Sequence, residues 1–123
     1  MRLNQTMTEK SYRDELLSSQ ELLTSDVKGL RLMNALRVSY PEMSSAFILK
    51  HIPDQAEDFY DIMIDGKSIV SLEVDRLNTD AELIVAELDF NSYRSDLSKT
   101  NRIKFMVAID LANQSQKLGT YHG

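Results

Sequence analysis

Apolar residues change their spacing near residue 59. Before that point they recur at helical intervals, then they alternate through two or three short runs, and the helical interval returns near the end. Tyr12, Leu16, Leu17, Leu22 and Leu23 form one stripe behind Thr8 and Ser11, either of which fits an N-cap, so a helix is expected there. "TSD" at 24–26 is a second N-cap signal, with Val27, Leu30, Met33, Ala35 and Leu36 behind it. Pro41 suits the first turn of a third helix, "PEMSSAFILKH", with Met43, Ala46, Phe47 and Ile48 facing inward. The polar "PDQAED" at 53–58 ends the pattern and is too short for a domain linker.

From residue 59 the period is two. Tyr60, Ile62 and Ile64 alternate with Asp61, Met63 and Asp65, and "DG" at 65–66 signals a hairpin. Two registers compete. A two-residue loop sets Asp61 beside Val70, whereas a three-residue loop pairs Tyr60, Ile62 and Ile64 with Leu72, Val70 and Ser68. The second sorts apolar from polar better and is preferred. "RLNTDAE" makes the next turn. A third strand then places Ile84, Ala86, Leu88 and Phe90 on one face, with Leu83, Val85, Glu87 and Asp89 on the other.

"SDLSKTNRIKFMVAIDLANQSQKLG" reads as a long helix capped by Ser95 or Asp96 and stopped at Gly119. Ile103, Val107, Leu111 and Leu118 form its stripe, widened by Phe105, Ala108, Ile109 and Ala112, which places it on the sheet. The apolar run at 103–109 also fits a strand, because a short run does not fix its own period. Lys99, Arg102, Met106, Asp110, Asn113 and Lys117 share the opposite, exposed stripe. The expected fold is a single α+β domain over 1–123. It has N-terminal helices, a three-stranded antiparallel sheet (about 58–65, 68–76 and 82–90) and a long C-terminal helix packed on that sheet.

At 123 residues the chain is long enough for a core without covalent staples. It has no Cys, which removes disulfides, thiolate metal sites and cysteine nucleophiles and favours a reducing compartment. No run approaches a membrane span and the N-terminus lacks the apolar core of a signal peptide, so a cytoplasmic protein is expected. The net charge of −5 is unevenly spread. Residues 53–96 carry twelve acids against three bases, while the flanking segments are slightly basic. A block of that sign repels phosphates and attracts basic surfaces, so direct nucleic-acid binding is not expected.

Motifs for chemistry fall short. "DIMIDGKSIVSLE" starts like a calcium loop, with Asp61, Asp65 and Gly66 in place, but Met63 stands at the third position and Leu72 at the twelfth. "GKS" at 66–68 lacks the earlier glycine of a phosphate loop and opens a strand. His51 sits before a loop, where it would serve a helix end, and His122 lies in the tail. No serine occupies a nucleophile turn. Glu73, Asp75, Glu87 and Asp89 supply acids on two strands without the following Lys of a metal-dependent nuclease, which leaves a metal hydrolase as a rival reading. No cofactor or metal is expected.

An acidic block on a sheet complements a basic protein, and the obvious basic proteins are nuclease domains. In size, charge, lack of cysteine and α+β pattern the whole chain resembles the small acidic immunity proteins encoded beside bacterial toxins, including those of contact-dependent growth inhibition. That type shares no diagnostic motif and carries no residue roles over. The resemblance implies cytosolic residence, one-to-one binding of a cognate toxin domain, and no catalysis. The partner-binding residues expected from the sequence are Asp61, Asp65, Glu73, Asp75, Glu87 and Asp89, with Tyr93 as an aromatic anchor. An adaptor or chaperone presenting the same sheet, alone or as a homodimer, is the alternative.

Overall fold

The chain reverses at "DG" through two consecutive residues in left-handed backbone. In the computed structural model, which describes residues 7–78 and 80–122, Asp65 has φ 54° and Gly66 φ 69°. The loop has three residues. It joins β2 (Glu57–Ile64) to β3 (Ser68–Asp75), with Tyr60 opposite Leu72, Ile62 opposite Val70 and Ile64 opposite Ser68. That is the register preferred from the sorting of apolar side chains. The Asp65 carboxylate accepts from the backbone N–H groups of Ser44 and Ser45, at 2.7 and 2.8 Å, and so ties the loop to the preceding strand.

The preceding strand is the main departure from the sequence reading. Residues 41–51 are not a third helix; Ala46–Pro53 form β1, and the sheet has four antiparallel strands in the order β1-β2-β3-β4, not three. The run "AFIL" is continuously apolar because β1 is covered on both faces, and a strand buried on both faces shows no alternation. A bulge between Ile48 and Lys50 disturbs the period further. The last strand, β4 (Ile84–Leu88), is shorter than the expected 82–90. Asp89 leaves it to cap a short helix, α3 (Phe90–Ser95), which the sequence reading did not anticipate.

Two helices precede the sheet. α1 (Met7–Ser25) and α2 (Val27–Ser39) are separated only by Asp26, which is extended at φ −91° and ψ 147°. The corner is tight. A Cβ on Gly29 would lie 2.0 Å from the Leu22 carbonyl oxygen, so only glycine lets α2 leave α1 at this angle. α4 (Lys99–His122) takes the 103–109 run as helix and continues past Gly119, where a stop was expected.

The sheet is packed on both faces, not on one. Phe47, Met63 and Ile69 point toward Phe105, Ala108, Leu111 and Ala112 of α4, joined by Leu16 of α1. Ala46, Ile62, Ile64, Val70 and Leu72, at alternate positions of the same strands, point the other way, toward Leu32, Met33 and Leu36 of α2 and Leu23 of α1. Each of these large side chains contributes ~1.5–3 kcal/mol on burial. α1 thus supplies both layers as it passes the β1 edge. There the Ser19 hydroxyl donates to Leu16 O and accepts from the Ile48 N–H at 3.1 Å, which closes part of that edge. Arg13 pairs with Asp110 at 2.9 Å, so Asp110 joins α4 to α1. Among the described residues no helix is long and apolar enough to cross a membrane.

Candidate functional site

The seven acids and aromatics expected to meet a partner divide by local role. Three are held by backbone. Asp65 secures Ser44 and Ser45; Asp75 accepts from the N–H groups of Leu77 and Asn78; Asp89 caps α3 through the N–H of Ser92 at 2.9 Å. That bond, made to the ionised form, holds the Asp89 carboxyl below the usual aspartate value. Two face each other: the Tyr93 hydroxyl donates to Asp61 at 2.9 Å, joining α3 to β2. Burial first, then the Asp61 charge, pushes the Tyr93 phenol up. Glu87 pairs with Val70 in register and so lies on the α2 face, where it accepts from the Tyr40 hydroxyl at 2.7 Å. Glu73 remains on the α4 face. The seven do not form one patch.

What does form on the α4 face is an uncovered end. Cross-strand register aligns Ile52, Phe59, Glu73 and Ile84 in one row across all four strands, with Glu57 and Asp75 forming the row beyond. Ile52, Phe59 and Ile84 belong to neither core cluster, and Ile84 is 60% exposed. Glu57 was not singled out from the sequence, yet it stands among other carboxylates. A hydrogen bond to Glu73, then the charge of Glu73 and, more weakly, those of Asp75 and Asp54, raise its pKa. Neither Glu57 nor Glu73 has an ion-pair partner among the described residues.

The α2 face carries a different arrangement. Because the bulge adds one residue, Lys50 stands opposite Asp61 and His51 opposite Tyr60. The His51 ring stacks on Tyr60 with centroids 4.4 Å apart and planes within 4°. His51 Nε2 lies 3.0 Å from Oδ1 of Asp58, and Arg76 Nε lies 3.7 Å from Oδ2. Asp58 is buried, and both its oxygens have cationic or ring-nitrogen partners. Tyr60 is held above the usual phenol value by burial and by the Asp58 charge. This cluster was missed from the sequence because His51 was assigned to a helix end. The available signal was the polar turn "PDQAED" between two apolar runs, which is also a hairpin pattern.

Beside this cluster a cavity of about 630 Å³ opens between α2 and the end of β2 and β3. A second, smaller hollow of about 380 Å³ lies under α3 and α4, near Lys50, Tyr93 and Lys104. Among the described residues no group of three or more His, Asp or Glu side chains is placed to hold a metal ion. Among the described residues no nucleophile or second acid is hydrogen-bonded to the His51–Asp58 pair.

These features define an α+β protein with a four-stranded antiparallel meander layered between helices, an acidic and apolar open sheet end, and a cavity on the opposite face. Comparison with known proteins adds no relative: no family description, curated protein or solved structure matches the chain.

Proposed function

We propose that the chain is a non-catalytic binding protein that holds a basic protein partner, as an immunity protein holds and neutralises a cognate nuclease-type toxin domain. The observation that carries this reading is the uncompensated pair Glu57 and Glu73 beside the row of exposed Ile52, half-buried Phe59 and exposed Ile84. Two carboxylates that crowd each other without a cation destabilise the free protein. A Lys or Arg from a partner would relieve that repulsion, and the apolar row would supply the desolvated centre that a stable interface needs. Asp61, Asp75 and Tyr93 border the same end and belong to the proposed surface. Asp65, Glu87 and Asp89 act on the fold from other positions.

The test is titration of a purified basic toxin nuclease domain, encoded beside this chain, at low and high salt. Tight binding that weakens as salt rises, and that drops at least tenfold in Glu57→Lys/Glu73→Lys, is the expected result. Affinity indifferent both to salt and to this double charge reversal would sink the proposal.

A further inference from the structure

The cavity on the α2 face has a lining that, Asp75 apart, the protein-binding reading does not use. Its walls are apolar: Leu32, Val74 and the Tyr60 ring at the base, Val27 and Leu30 at the rim. Val27 is 83% exposed although it faces this space, because α2 packs on the sheet through Leu32, Met33 and Leu36 and its first turn stands clear. About 630 Å³ falls within the ~300–1,000 Å³ usual for a small-molecule site.

Its polar groups have an unusual balance for so acidic a chain. Lys28, Arg31 and Arg76 line it, against Asp58 and Asp75. Both acids are already engaged, Asp58 by His51 and Arg76, Asp75 by the N–H groups of Leu77 and Asn78. The bases are not. Lys28 has no ion-pair or hydrogen-bond partner among the described residues, and Arg31 bonds only the Ala81 carbonyl, at 2.7 Å. Arg76 approaches Asp58 through Nε alone, at 3.7 Å, which leaves its terminal nitrogens available to a planar anion. The Tyr60 hydroxyl has no hydrogen-bond partner among the described residues either. An apolar trough ending in unsatisfied donors selects a molecule with an apolar body and one anionic head.

We propose that this cavity binds a small amphiphile of that class, a medium-chain carboxylate, with its chain between α2 and β3 and its carboxylate among Arg76, Lys28 and the Tyr60 hydroxyl. The site lies on the sheet face opposite Glu57, Glu73 and the Ile52–Phe59–Ile84 row and shares only Asp75 with the surface assigned to the protein partner. No variant in either test touches Asp75, so the two proposals fail independently. The experiment follows amide and methyl NMR shifts of the full chain on titration with decanoate, decanol and decyltrimethylammonium. Saturable shifts at Leu30, Leu32 and Val74 are expected with decanoate, with decanol and the cationic probe at least tenfold weaker. Lys28→Gln, at an exposed position, should weaken decanoate several-fold without altering the fold, and Leu30→Glu at the rim should abolish binding. No saturable shift with decanoate would overturn the proposal, as would equal binding of the three probes. Shifts of these residues with a basic protein partner but not with decanoate would assign the cavity to that interface and overturn it as well.

Discussion

Glu57 and Asp58 are adjacent in sequence and carry the same charge, yet the structure treats them oppositely. Asp58 points to the α2 face, is 8% exposed, and sits between His51 and Arg76. Glu57 points to the α4 face, beyond the reach of α4, among carboxylates. One acid is part of the architecture and the other is a surface left unsatisfied. The comparison extends to the two ends of the same face. Near the β2–β3 turn, Phe47, Met63 and Ile69 lie under α4; at the far end, Ile52 and Ile84 are exposed and, like Phe59, belong to neither core cluster. The covered end belongs to the core, and the open end is where the proposed partner would gain from burial.

The largest expected effect tests that division. Phe105→Ala removes the α4 side chain that packs on the covered end and also touches the rings of Phe90 and Tyr93, 5.1 and 6.2 Å away. It should cost ~3–5 kcal/mol in chemical denaturation. Ile84→Ala at the open end should stay within ~0.5 kcal/mol, because most of its surface is already in water. Equal losses at the two positions would mean that the open end is core.

How much of this was legible from the sequence follows the range of the interactions involved. α1, α2, the β2–β3 register and the C-terminal helix follow local spacing and the "DG" turn and were readable. Their caps were not: Thr8 and Ser11 lie inside α1, Asp26 makes no side-chain cap bond, and Ser95 and Asp96 end α3 while Ser98 accepts from the Asn101 N–H ahead of α4. β1 was not readable either. Its strand state depends on pairing with β2 and on the Asp65 carboxylate reaching back twenty residues to Ser45, neither of which leaves a periodic trace. Losing β1 also lost the His51–Asp58 pair, which exists only once the bulge has set His51 opposite Tyr60. The acidic block was visible as a number. Which acids are caps, which are paired and which are crowded depends on turns and faces that composition does not encode.

Asp58 gives the intermediate effect. Asp58→Ala removes the group that His51 and Arg76 share, and the loss of a charged, nearly buried hydrogen-bond partner should cost ~1–3 kcal/mol. Both former partners are partly exposed and can be rehydrated, which keeps the loss below that of a core truncation. Denaturation of this variant beside wild type measures it, and an unchanged midpoint would make Asp58 as dispensable as a surface acid.

Glu57 gives the smallest effect and the most informative sign. Its folded pKa lies above the ordinary value of 4.5, so the folded chain binds its proton more readily than the unfolded chain does. The stability that Glu57 contributes is therefore fully present below pH 4.5 and is lost as pH rises through its folded pKa, the reverse of a salt-bridged acid. Glu57→Gln should be slightly more stable than wild type at neutral pH, and this advantage should fade as the solution is acidified toward the ordinary glutamate range. Parallel melting curves of the two proteins, taken from neutral pH downward, read the difference directly. A variant less stable than wild type at neutral pH would show that Glu57 has a favourable partner in the free protein. It would also remove the repulsion from which a basic partner was proposed.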